Sequence, residues 1–302
     1  FKGPISQEQW KEWNSNEKAP LINRVISGEY PPGSVFKLVT AALLIEEGME
    51  QTIYDCDGQY QLGSTGYQKK CWNPLGHGEI NLKDAIRFSC NVYFYKAVEN
   101  ISFEKLSLIA QNFNYGEVVG IDLPSEKNGL IPDRKYMKKK YEFVDENGVF
   151  QKYWATGGTK ANMGIGQGEV LTTPVQVVNM INIIANKGYY LSPHLSIKNK
   201  PPKKFLNLKS STFHFLEDAM WKVVNSNGGT GKNAWIKNAT IRGKTGTAQN
   251  PHGDDHSWFA GYITTNQSNK MSIVVMIENG GRGSGVSSEI ARKIFAEFNL
   301  NN

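Results

Sequence analysis

Thr240-Ile241-Arg242-Gly243-Lys244-Thr245-Gly246-Thr247-Ala248 is the stretch whose reading decides the rest of this 302-residue chain. Its alternation suits a strand, and Lys244-Thr245-Gly246 occurs once in the sequence. Upstream lie Ser34-Val35-Phe36-Lys37, a serine and lysine at i,i+3, and Ser89-Cys90-Asn91, a serine and an amide at i,i+2. Serine-x-x-lysine also occurs at Ser15-Asn16-Glu17-Lys18 and Ser102-Phe103-Glu104-Lys105, so spacing alone does not choose among the three. Taken singly, Ser34-Lys37 is an ordinary capped helix with a lysine on it, and Lys244-Thr245-Gly246 an ordinary surface strand with a turn.

Local context chooses Ser34. Tyr30-Pro31-Pro32-Gly33 cannot be helical, whereas apolar residues recur through Ser34 to Glu47 and Gly48 supplies a stop. Ser34 therefore stands at a helix N-terminus, where free N–H groups favour an oxyanion. Lys37 lies one turn on, on the same face, within reach of the serine hydroxyl. A lysine there whose pKa is lowered can accept the hydroxyl proton. By contrast, Ser15 precedes no apolar periodicity, and Ser102 reads as the N-cap of a helix over 103–112.

Serine-lysine, serine-x-asparagine and lysine-threonine-glycine in this order make the chain resemble the transpeptidase domain of class B penicillin-binding proteins, of the penicillin-binding protein 2 (elongation) type. The likeness extends to Pro20-Leu21-Ile22-Asn23-Arg24, to Gly164-Ile165-Gly166-Gln167-Gly168 with Thr172-Thr173-Pro174-Val175-Gln176, to His256-Ser257-Trp258-Phe259-Ala260-Gly261-Tyr262 and to Glu278-Asn279-Gly280-Gly281. It implies D,D-transpeptidation of peptidoglycan stem peptides during cell elongation and inactivation by β-lactams. It also implies a membrane anchor and pedestal ahead of Phe1, a place at the periplasmic face of the inner membrane, and a RodA-type glycosyltransferase and MreC as partners. Rivals of the same fold are a β-lactam sensor and a β-lactamase or D,D-carboxypeptidase. No glutamate-x-x-x-asparagine loop stands out between Asn91 and Lys244 to activate a deacylating water.

The resemblance assigns roles residue by residue. Ser34 Oγ attacks the penultimate D-alanine carbonyl, Lys37 serves as base, and Ser89 relays a proton between Lys37, Lys244 and the leaving nitrogen. Asn91 offers its amide to the substrate backbone, while Lys244, Thr245, Gly246 and Thr247 hold its carboxylate end. The N–H groups of Ser34 and Thr247 are the expected oxyanion hole. Absent Cβ atoms at Gly243 and Gly246 are expected to let substrate lie along the strand edge.

Composition is that of a globular protein, with 39% hydrophobic and 11% aromatic residues. The longest apolar stretch, Ala41 to Ile45, is too short to span a bilayer, and the chain is read as an excised ectodomain. A net charge of +6 suits an anionic partner surface, such as a membrane face or carboxylate-rich peptidoglycan. Nucleic acid is not expected, because the basic residues form no aromatic-interleaved stripe. Lys138-Lys139-Lys140 reads as decorating a solvated loop, with a docking patch as the alternative.

The pattern predicts an α+β fold, an antiparallel sheet flanked by helices with an inserted helical subdomain, all in one transpeptidase domain over 1–302. The α/β part covers about 1–49 and 161–302, and the insert about 50–160 carries Ser89 and Asn91 to the opposite cleft wall. Helices are expected at 7–13, 34–47, 82–88, 92–98, 103–112, 175–186, 213–224 and 288–298. Strands are expected at 240–248, 258–264 and 271–278, with an extended run through Arg24-Val25 and an irregular crossing over 114–160.

Cys56, Cys71 and Cys90 are the only cysteines and share one glycine-rich, loop-like segment with His77. Three thiolates and an imidazole suit a closed tetrahedral zinc site, and zinc is expected there in a structural role behind Ser89 and Asn91. The alternatives are a Cys56–Cys71 disulfide with Cys90 merely buried, or three unrelated thiols.

Overall fold

The structure is a computed structural model and describes residues 3–63, 67–152, 156–198, 200–251 and 253–301. In chain order α1 (Gln7–Ser15) and α2 (Arg24–Ser27) lead to a 3₁₀ turn, Gly33–Phe36, that runs straight into α3 (Lys37–Glu46). The segment that follows holds β1 (Tyr54–Cys56), β2 (Gln59–Gln61), β3 (Gln68–Lys70), β4 (Gly78–Ile80), α4 (Leu82–Arg87), α5 (Asn91–Glu99) and α6 (Phe103–Asn112). Next come α7 (Arg134–Tyr141), a hairpin of β5 (Glu142–Val144) and β6 (Phe150–Lys152), and α8 (Thr156–Gly164). The remainder is α9 (Pro174–Ala185), β7 (Tyr189–Tyr190), β8 (Lys204–Phe205), α10 (Ser210–Asn225), β9 (Thr240–Ala248), β10 (His256–Thr264), β11 (Lys270–Ile277) and α11 (Val286–Leu300).

The α+β expectation holds. The main sheet is antiparallel in the order β11-β10-β9, and Lys244 sits opposite Ala260 in the register. Alternate side chains of a strand face opposite sides. Tyr262 of β10 bonds Glu217 of α10 at 2.6 Å, whereas Phe259 meets the ring of Phe295 of α11, so helices cover both faces. Every residue of α3 from Lys37 to Ile45 is buried, which makes α3 the central helix of the core. α9 starts where its capping box and Pro174 say it should, Thr173 and Gln176 bonding each other's backbone.

Two segments differ from the sequence expectation. Arg24–Ser27 is a helical turn instead of an extended run, because the Asn23 side chain accepts from Val25 N–H and nucleates it. The crossing over 114–160 contains α7, the β5–β6 hairpin and α8. Asp133 caps α7 through Tyr136 N–H, so the lysine run decorates a helix and not a loop. The segment 50–160 also carries three two-stranded ladders, β1–β4, β2–β3 and β5–β6, beside its helices.

Candidate active site

Ser34 lies in the 3₁₀ turn, half-buried, and α3 continues its axis. What aims the turn is Gly33, at φ 52° with its N–H bonded to Gly166 O at 2.9 Å. A Cβ on Gly33 would fall 2.4 Å from Thr247 O, so only glycine lets the Ser34 turn approach β9. Gly33→Ala is therefore expected to cost about 1–3 kcal/mol through left-handed strain and the clash. An unchanged melting temperature would contradict this. The preceding tyrosine is pinned too: Tyr30 Oη donates to Glu278 at 2.6 Å, and Arg24 Nε reaches the same carboxylate at 3.0 Å.

Lys37 is fully buried. Its Nζ donates to Ser89 O at 2.8 Å, to Asn91 Oδ1 at 2.7 Å and to Ser89 Oγ at 3.4 Å. The serine-lysine and serine-x-asparagine motifs are thus joined by one ammonium. Burial pushes Lys37 down to about 8, against the pull of the Cys90 and Cys71 sulfurs.

Ser89 is held at φ 55° between α4 and α5, and Cys90 caps α5 by accepting from Tyr93 N–H at 3.4 Å. This tight corner turns the Ser89 hydroxyl toward β9. Lys244 Nζ, also fully buried, donates to Ser89 Oγ at 2.9 Å and to Thr245 O at 2.9 Å. Burial and then the neighbouring Lys37 hold Lys244 well below the ordinary lysine range. Two buried amines around one hydroxyl oppose each other's charge, so the pair favours holding a single proton. Ser34 Oγ has no hydrogen-bond partner among the described residues.

The structure joins Lys37, Ser89, Asn91, Lys244 and Thr245 by hydrogen bonds and sets the Ser34 turn against Gly246 and Thr247, and it adds others. Thr245 Oγ1 bonds Thr230 Oγ1 at 2.8 Å, Gln167 Nε2 donates to Thr247 O at 3.3 Å, and Gly283 N–H donates to Thr247 Oγ1 at 3.2 Å. Glycine-threonine-glycine at 229–231 was the available signal for Thr230, but it has no periodicity to anchor it. One sequence reading is overturned. A Cβ on Gly246 would meet Val35 Cγ2 at 2.9 Å and Pro32 O at 3.0 Å, and one on Gly243 would meet the Phe259 ring at 2.5 Å. These glycines admit the protein's own nucleophile turn and core, not a substrate backbone. The edge of β9 away from β10 is the one left for a ligand strand.

Behind the Ser89 corner, Cys56, Cys71, Cys90 and His77 offer ligand atoms that all lie within 4.8 Å of one another. The β1–β4 ladder pairs Cys56 with Gly78, which sets His77 beside Cys56. His77 Nδ1 is 3.6 Å from each of Cys56 Sγ and Cys71 Sγ, and Cys71 Sγ is 3.9 Å from Cys90 Sγ. For metal–sulfur bonds of about 2.3 Å and a metal–nitrogen bond of about 2.0 Å, a tetrahedron has edges of about 3.8 and 3.5 Å. The four residues therefore could hold a metal ion. All three thiols are free, and the expected Cys56–Cys71 disulfide alternative is not formed.

This geometry and its sequence signature agree with the comparisons. The chain belongs to the penicillin-binding protein transpeptidase family, whose domain profile matches residues 5–296. It is similar to peptidoglycan D,D-transpeptidase MrdA of Haemophilus influenzae, 30% identical over all of this chain and 49% of that protein. The Escherichia coli K12 protein of the same name is 27% identical over 95% of this chain and 48% of its own length. The chain thus spans about half the length of the curated relatives it matches. Among solved structures, penicillin-binding protein 2 of Helicobacter pylori superposes with TM-score 0.85 at 31% identity, covering 98% of this chain and 55% of that one. Among the described residues no helix is long and apolar enough to cross a membrane.

Proposed function

We propose that the protein is a peptidoglycan D,D-transpeptidase of cell elongation, working through a Ser34 acyl-enzyme and inhibited by β-lactams. The observation that carries this is the buried Lys37–Ser89–Lys244 chain of hydrogen bonds set against the nucleophile turn. Ser34 Oγ attacks the penultimate D-alanine carbonyl as Lys37 takes its proton, and the oxyanion forms against the N–H groups of Ser34 and Thr247. The terminal D-alanine then leaves as its nitrogen receives a proton through Ser89. An acceptor amine of a second stem peptide attacks the ester, loses a proton to the same network, and Ser34 regains its hydrogen. The substrate carboxylate approaches Lys244, Thr245 and Thr247, and its charge draws the stored proton onto Lys244. Asn91 is the donor to the substrate backbone.

Because Lys37 must be neutral to act as base, acylation is expected to rise about tenfold per pH unit up to its pKa of about 8 and then level off. A rate flat between pH 6 and pH 8, roughly the window below that pKa, would mean another group is the base. Persistence of the penicilloyl adduct separates this reading from a β-lactamase, which would release it rapidly.

The segments 1–49 with 161–302 form the α/β part and 50–160 the inserted part of one domain in this reading. A RodA-type glycosyltransferase and MreC are the proposed partners; MreC is supported by a solved complex of Helicobacter pylori penicillin-binding protein 2 with MreC that is similar to this chain over 98% of its length. The proposed location is the periplasmic face of the inner membrane. Zinc is the proposed metal of the Cys56, Cys71, His77 and Cys90 cluster, supported by the tetrahedral edge lengths and the thiolate-rich set. It supplies no step of the reaction; bound, it would brace the corner that carries Ser89 and Asn91. Protein purified without added metal is expected to hold about one equivalent, and a chelator to lower both melting temperature and acylation rate. Less than about a tenth of an equivalent, with a single free thiol, would instead favour a disulfide.

A further inference from the structure

Exposed apolar and basic side chains gather on one module, α7 with the β5–β6 hairpin. Over eight residues α7 carries Arg134, Lys135, Lys138, Lys139 and Lys140 and no acid. Lys140 and two tyrosines turn inward: Tyr136 Oη and Lys140 Nζ reach Glu169 Oε2 at 3.1 and 2.7 Å, and Tyr141 Oη bonds Glu169 Oε1. Lys135, Lys138 and Lys139, at i, i+3 and i+4, form the opposite, exposed face.

The hairpin following that face is three residues long on each strand. Val144 and Phe150 are directly paired across it and are 63% and 61% exposed, with Val149 at 54%. A two-stranded hairpin with uncovered apolar side chains is marginal by itself, so these residues call for a partner surface. Placement says which. Glu169, the anchor of α7, follows Gln167 by two residues, a span of at most about 7 Å, and Gln167 bonds the Thr247 carbonyl in the cleft. The module therefore rises from the rim of the site itself.

We propose that α7 and the β5–β6 hairpin dock the glycan strand of peptidoglycan, an anionic polymer whose stem peptides enter the adjacent cleft. The lysine face meets the carboxylates of neighbouring stem peptides, and Val144 and Phe150 pack on the apolar C–H faces of sugar rings. This deepens, and rests on, the transpeptidase reading. An anionic membrane is the poorer match, because the hairpin tip that would enter it first carries Asp145 and Glu146. Docking the strand raises the local concentration of stem peptides at Ser34 without any new contact to the reacting bond.

The test is co-sedimentation of the protein, first acylated with penicillin to silence the cleft, with purified insoluble peptidoglycan sacculi. Binding by the parent is expected to weaken at high salt. It should fall about tenfold in K135E/K138E/K139E and in V144S/F150S, the equivalent of about 1.4 kcal/mol each. The milder K135Q/K138Q/K139Q should show a smaller fall in the same direction. Penicillin acylation rates of the variants report the cleft separately: loss of sacculus binding beyond any loss of acylation supports the proposal, and failure of Ser34 acylation in the parent would overturn the transpeptidase reading instead. Parent-level sacculus binding in all three variants would overturn the docking surface. So would lysine-dependent binding to phosphatidylglycerol vesicles with none to sacculi.

Discussion

A Ser34→Ala protein is expected to take up no fluorescent penicillin, a loss on the order of 10⁶-fold if it matches removal of a nucleophile in other serine acyl-transfer sites. The argument is geometric. Ser34 is the one hydroxyl carried by a turn that Gly33 presses against β9, half-buried and unpartnered among the described residues, and that turn leads directly into the buried Lys37. Ser15 bonds back to Lys11 O on exposed α1, and Ser102 is occupied as the cap of α6, so neither has an amine base to activate it. The fold should survive, since alanine keeps the turn and removes one oxygen. Labelling of the alanine variant at the parental rate would remove Ser34 from the mechanism.

Lys37→Ala should slow acylation by about 10²–10⁴-fold, the usual worth of a general base. Unlike Ser34→Ala, it should also destabilise. The amine fills core space and satisfies Ser89 O and Asn91 Oδ1, so its removal leaves a cavity and two orphaned acceptors. About 2–4 kcal/mol is the expected cost. Lys37→Met separates the two effects, because it refills most of the volume without restoring a base. Its melting temperature should recover while its acylation does not. Recovery of both would mean that Lys37 matters only for packing.

The sequence carried more of the chemistry than of its surroundings. The three motifs and β9 to β11 were legible because they rest on local signals: proline-proline-glycine ahead of Ser34, caps at Ser102 and Thr173, and period-two runs from Thr240 onward. The metal-competent cluster was legible from composition, since cysteines and a histidine are rare enough to stand out in a loop-rich segment. What was not legible depends on contacts between distant elements. Thr230 and Gly283 matter because they touch Thr245 and Thr247 across 15 and 36 residues of chain. The burial of Lys37 was not legible, because helical spacing says nothing about the second wall that α5 places over it. Gly243 and Gly246 looked like a substrate platform, yet what fills the space of their absent Cβ atoms is Phe259, Val35 and Pro32. In α7, five basic residues beside Tyr136 and Tyr141 hid a helix whose inner face is organised by one carboxylate, Glu169.

The most direct measurement is peptide mapping by mass spectrometry of the protein after brief exposure to penicillin. A single penicilloyl group on the peptide containing Ser34, absent from Ser34→Ala, is the expected result. An adduct on Ser15, Ser89 or Ser102, or an unmodified protein that still folds, would contradict the assignment of Ser34 as the acylated serine.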